Sequence, residues 1–322
     1  MKSKLSVRTL VAGLLAAGLL AHAPSWAQSV AVTSIVEHPA LDSVRDGVKA
    51  SLAEAGYTEE TGLKWQYQTA QGNNAIAAQI ARKFVGDRVD VIVAIATPSA
   101  QAVVSATRDI PVVYSAVTDP VAAQLVPTME ASGTNVSGVS DRLSLERQVE
   151  LIKKVVPDAK RVGMVYNPAE ANSVVVVKAM RELLPEHGMT LVEATAPRTV
   201  DVGAAARSLV GKVDVIYTNT DNNVVSAYEA LVKVGTDAKL PLIASDTDSV
   251  VRGAIAAIGI NYYDLGLQTG RMVARILKGE KPGDIASESS DNLELFVNPG
   301  AAQQQGVTLD EEFVKSATKV IE

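Results

Sequence analysis

Cysteine is missing from all 322 residues, which excludes disulfide staples, thiolate catalysis and cysteine-ligated metals. Histidine is nearly as scarce. His22, His38 and His187 lie far apart and in no His-Glu-x-x-His array, so no metal site is expected. Aromatic residues make up only 4% of the chain. A pair of carboxyls would suffice for a glycosidase, but sugar clefts also present several aromatic platforms, and this chain has few to offer. The Gly-x-Ser-x-Gly elbow and the phosphate-binding Gly-x4-Gly-Lys-Ser/Thr loop are absent, and no Gly-x-Gly-x-x-Gly follows a strand. No cofactor is implied. Basic residues form no cluster after Arg8. Nucleic acid and anionic membranes, which bind through clustered Lys and Arg, are therefore poor partners.

What is present starts at the N-terminus. Lys2, Lys4 and Arg8 precede an apolar run, Leu10–Ala21, and a small-residue exit, Ser25-Trp26-Ala27. This is the pattern of a secretory signal peptide, with cleavage expected after Ala27 and a periplasmic destination. A bilayer span needs roughly 20 apolar residues, and His22, Pro24 and Ser25 interrupt this run too early for an anchor. No cysteine stands at the exit to carry a lipid. The remainder holds 27 basic residues against 36 acidic ones, and it is long enough for two domains with their own cores.

Short runs rich in Val and Ile alternate with helix-period segments. The runs are Val30–Val36, Val89–Ala96, Pro111–Val117, Arg161–Tyr166, Leu191–Ala196, Val213–Thr218, Pro241–Ala244 and Ala254–Ile260. Their near-continuous apolar character predicts parallel strands buried on both faces. Between them, Leu41, Val44, Val48 and Leu52 line one side of a helix that Gly56 can end. Val174–Val177 would suit a strand by propensity, but Ala179, Met180, Leu183 and Leu184 continue a helical stripe and predict a helix. Val-Asp-Val-Ile at 89–92 recurs at 213–216, and Ile110-Pro111-Val112-Val113 recurs as Leu240-Pro241-Leu242-Ile243. The expected fold class is thus α/β, with two Rossmann-like lobes, parallel sheets and a multi-strand hinge. Residues 28–141 plus about 262–322 form lobe 1 and 142–261 form lobe 2, with a late crossing near 279–285.

Ligands of open parallel sheets bind beyond the carboxyl ends of the strands, and the polar residues gather there. The candidates are Glu37, Thr97, Ser99, Thr118 and Asp119 in the first half, and Asn167, Glu170, Asn172, Ser173, Asp221, Asn222 and Asp246 in the second. Hydroxyls and free N–H groups at helix starts suit a carboxylate, while the acidic side chains suit an ammonium. Together they describe an α-amino acid. Each residue alone also fits an ordinary N-cap; the clustering at strand ends favours a binding cleft. Asp119 fits a turn before Pro120 equally well, and His38 fits packing as well as contact.

The stretch Val36-Glu37-His38-Pro39-Ala40-Leu41-Asp42, then Gly47 and Ala55-Gly56-Tyr57, resembles the opening of a bacterial ABC-transporter substrate-binding family with tryptophan- and phenylalanine-binding members. Tyr166–Ser173, Ser245–Val250, Tyr262–Gly266 and Leu277–Ile285 are similar to later motifs of that family. The resemblance implies the type I periplasmic binding fold, an aromatic amino acid as ligand, and delivery to an ABC permease in the inner membrane; a monomer is expected. A periplasmic hydrolase using a carboxylate pair and a ligand sensor for a receptor stand as alternatives.

Overall fold

The computed structural model describes residues 28–290 and 292–322. The predicted leader and its cleavage point lie outside the described residues. The first lobe runs β1 (Ser29–Ser34), α1 (Pro39–Glu54), β2 (Lys64–Thr69), α2 (Asn74–Gly86), β3 (Val91–Ile95), α3 (Thr97–Ala106), β4 (Val112–Val117) and β5 (Val136–Ser140). The second continues with α4 (Leu145–Val155), β6 (Arg161–Tyr166), α5 (Ala171–Leu183), β7 (Thr190–Thr195), α6 (Val202–Leu209), β8 (Val215–Thr218), α7 (Asn222–Ser226), α8 (Tyr228–Ala238), β9 (Leu242–Ala244), α9 (Thr247–Val251) and β10 (Ala256–Ile260). The chain then forms α10 (Tyr262–Leu277), β11 (Glu288–Ser289), β12 (Leu293–Val297), α11 (Pro299–Gln304), α12 (Glu311–Lys315) and β13 (Lys319–Val320).

Two sheets result, in the orders β11-β5-β4-β3-β1-β2 and β13-β12-β10-β9-β8-β6-β7. The expected α/β architecture is borne out. All five residues of β3 are buried, because helices cover both faces of the sheet. The Val174–Val177 run is helical, as expected: Val176, Val177 and Met180 are buried, so packing of the apolar stripe overrides β-propensity. α10 returns to the first lobe and lies against α1. A Cβ on Gly47 would collide with the Tyr263 carbonyl, and one on Gly266 with that of Val44. Only glycine permits backbones to approach this closely.

The lobe boundary expected at the C-terminus is corrected. Residues 279–289 stay with the first lobe, where Ser137 Oγ donates to the Ile285 carbonyl and β11 pairs with β5. The Gly and Pro residues there make a short turn at 282–284 rather than a crossing. Residues 293–322 belong to the second lobe. β12 pairs antiparallel with β10 in the register Ala256↔Val297, and Val297, Ala302 and Phe313 sit in the second lobe's core. The Gln305 side chain fixes this return by accepting from the Leu242 N–H and donating to the Gly253 carbonyl.

Candidate ligand-binding site

The carboxyl ends of the two sheets face each other, and Thr118 Oγ1 meets Thr220 Oγ1 across the gap at 3.2 Å. Between the lobes lies a cavity of about 20 Å³ lined by His38, Ala40, Leu41, Thr97, Ala116, Thr118, Asp141, Asn172, Thr220, Asn222, Val225, Asp246 and Tyr262. A larger cavity of about 290 Å³ adjoins it and shares Thr118, Asp141 and Thr220 as walls.

The first lobe leaves hydrogen-bonding capacity open. α3 follows Ala96, whose φ is +71° and which provides no side-chain cap. Thr97 Oγ1 and Ser99 Oγ are buried without a hydrogen-bond partner among the described residues. Uncapped N–H groups, the positive end of a ten-residue helix and two free hydroxyls make this corner a site for an anion. Ala116, on the cavity wall, also has a positive φ, +54°, and sits where the pairing of β4 with β5 shifts register. Non-glycine residues held in this region store strain, which is a mark of functional positions.

Acidic groups face that corner. Asp141 is buried where the chain first leaves the first lobe. It accepts from the Tyr262 hydroxyl at 3.0 Å through Oδ2, while its Oδ1 has no partner among the described residues. Asp246 is 2% exposed and caps α9, accepting from Ser249 N at 2.8 Å and Ser249 Oγ at 2.7 Å. Burial pushes both carboxyls above their usual range, and a cation placed beside them would favour their charged forms. His38 accepts from Leu41 N through Nδ1 at 3.5 Å, which leaves its proton on Nε2. Burial, reinforced by the Arg252 charge, lowers its pKa to about 3, so the ring is a neutral donor.

Several predicted residues serve the second lobe instead. Asp221 is fully buried. Its Oδ2 accepts from Asn167 N and Ser173 Oγ, and its Oδ1 accepts from Val224 N. Glu170 accepts from Asn222 N, Asn222 Nδ2 and Asn172 Nδ2. Burial and the neighbouring Asp221 charge raise its pKa. Of the predicted set, Thr97, Thr118, Asn172, Asn222 and Asp246 line the interlobe cavity and Asp119 lines its neighbour. Asp119 also caps Ala122 N and pairs with Arg142. Ser99 is buried and lines neither cavity. Asn167, Glu170, Ser173 and Asp221 instead form an internal network, in which backbone amides and amide side chains use their oxygens. Glu37 lies outside both cavities: it is exposed and takes a 3.5 Å contact from the Tyr67 hydroxyl. Asp141 and Tyr262 were not among the predicted contacts. Their signal was position: each follows a strand at a point where the chain changes lobes. Among the described residues no His, Asp or Glu group could hold a metal ion, and no helix is long and apolar enough to cross a membrane.

Comparison with known proteins follows the same lines. The family described as ABC transporter substrate binding protein matches residues 29–321. A protein named "Tyrosine-binding protein" from Clostridioides difficile (strain R20291) is 41% identical over 271 residues, covering 84% of this chain and 79% of its own. The structure of an ABC domain in complex with L-Trp from Streptococcus pneumonia superposes with a TM-score of 0.88 at 34% identity, covering 91% of this chain and 99% of its own. A ligand-free, open substrate-binding protein with adhesive properties from Clostridium difficile gives a TM-score of 0.69 at 40% identity, covering 92% and 99%. The chain thus superposes better on the tryptophan complex than on the open protein, although it shares fewer residues with it.

Proposed function

The chain belongs to the ABC transporter substrate-binding family, and on that premise we propose that it binds an aromatic amino acid between its lobes and presents it to an inner-membrane permease. It works in the periplasm, as a monomer, once the leader is removed. The observation that carries this reading is the polarity of the interlobe cavity. The uncapped start of α3, with the free Thr97 hydroxyl, lines it together with Asp141 and Asp246. The ligand carboxylate lies at the start of α3 and its ammonium lies between the two acids, each end gaining charge-assisted hydrogen bonds. The arrangement recognises both ends of a zwitterion and offers no activated nucleophile, so the ligand leaves unaltered.

Closure follows from differential contact. A ligand that touches both lobes favours the closed arrangement only by what it gains there over the open one. The better superposition on the tryptophan complex supports reading the present arrangement as the closed one. A thermal-shift screen of the purified mature chain against the twenty amino acids tests the function. An aromatic amino acid at 100 times its Kd should add about 2.7 kcal/mol to stability, and mass spectrometry should recover it intact. A flat melting temperature across the whole set would remove the proposal.

A further inference from the structure

We propose that the 290 Å³ cavity beside the interlobe site receives the ligand's side chain, and that it favours a ring with a hydrogen-bonding tip, such as a phenol, over a plain phenyl ring. This rests on the amino-acid reading above and extends it to the side chain. The interlobe cavity, at about 20 Å³, has no room for a ring. The neighbouring cavity, at about 290 Å³, lies at the lower end of the range of small-molecule sites, roughly 300–1,000 Å³. Because Thr118, Asp141 and Thr220 border both cavities, a ligand whose ammonium meets Asp141 directs its side chain along this wall.

The cavity has two unlike surfaces. Leu143, Val175, Val176 and Ala179 give it an apolar side suited to a ring face. Tyr217, Asn219 and Ser245 give it a polar one. Asn219 is 2% exposed and Ser245 is 1% exposed. The Asn219 amide nitrogen donates to Ser173 Oγ at 3.2 Å, while its Oδ1 and the Ser245 Oγ have no partner among the described residues. Buried polar atoms left unpaired are costly, and a ligand that pairs them recovers that cost. A phenol hydroxyl both donates and accepts, so it can give its proton to Asn219 Oδ1 and accept from Ser245. A phenyl ring does neither.

Calorimetry with L-tyrosine and L-phenylalanine tests this on the mature wild type and three variants. Ala179→Phe fills the apolar side from a half-buried helix position, and Val175→Phe obstructs it from the same helix should the first variant fold poorly. Each is expected to lower affinity for both ligands at least tenfold while far-UV circular dichroism stays native. Ser245→Ala should lower L-tyrosine affinity about fivefold and leave L-phenylalanine within twofold. If aromatic amino acids bind the wild type and a folded Phe variant equally well, the side-chain assignment falls and the amino-acid function stands. If Ser245→Ala changes both ligands alike, the preference for a polar tip falls. If the wild type binds no amino acid, the functional reading fails and this inference goes with it.

Discussion

Among the helices that start near the cavity, α3 of the first lobe and α7 and α9 of the second begin in opposite ways. In the second lobe, Asp221 and Asp246 cap α7 and α9, accepting from Val224 N and Ser249 N. In the first lobe, α3 begins after a strained alanine that caps nothing. The caps place negative charge on one side of the gap, while the uncapped start leaves a partial positive charge on the other. The contrast teaches that a carboxylate at a strand tip is not by itself a ligand contact. Asp221 and Asp246 occupy equivalent tips and both cap helices, yet only Asp246 lines the cavity.

That contrast can be broken by substitution. The largest effect belongs to Asp221→Ala, which strands three buried donors and should cost about 3 kcal/mol of folding stability in urea titrations. A variant that kept its stability and lost only affinity would place Asp221 back in the site. Next, Asp246→Asn keeps a good cap but removes the charge, so affinity should fall by about 2 kcal/mol in calorimetry with little change in melting temperature. His38 provides a test through pH. Its folded pKa of about 3 lies below the ordinary 6.5, so the unfolded chain takes up the proton first as pH falls. The stability due to neutral His38 is present above pH 6.5 and is lost toward pH 3. Between pH 7 and 5 the wild type should lose on the order of 1–2 kcal/mol more than His38→Asn. Thr97→Val should weaken binding by about 1 kcal/mol without destabilising the fold, since the hydroxyl it removes has no partner among the described residues. The smallest effect is a gain: Ala96→Gly relieves the positive φ and should raise stability by about 1 kcal/mol or less, after the entropy cost of glycine. No gain would mean that the strain is not stored there.

Much of the fold was legible because its physical signal is local. Strands buried on both faces need unbroken Val and Ile runs, and these marked the strands of both lobes up to β10, apart from two that read more weakly, as an outer strand around Trp65 and a short strand at Val136–Val139. β2 lies at a sheet edge with half-buried residues, and β5 carries Ser137, Gly138 and Ser140 in its five residues. The return of β12 was not legible: nothing in the alternation of strands and helices foretells a strand added antiparallel at the end. Residue type and strand-end position picked out Thr97, Thr118, Asn172, Asn222 and Asp246, which line the interlobe cavity. They could not separate these from Glu170, Ser173 and Asp221, whose partners lie about fifty residues away in sequence. Asp141 and Tyr262 escaped for the same reason, since they meet across 121 residues of chain.

The most direct test of opposed polarity is calorimetry of the mature protein with L-phenylalanine, L-phenylalaninamide and 3-phenylpropionate. The amide lacks the carboxylate charge and the acid lacks the ammonium. The account predicts that the amino acid binds and that each analogue loses at least about tenfold, since a hydrogen bond to a charged group contributes about 1.5–3 kcal/mol. Equal affinity for the amino acid and either analogue would contradict it.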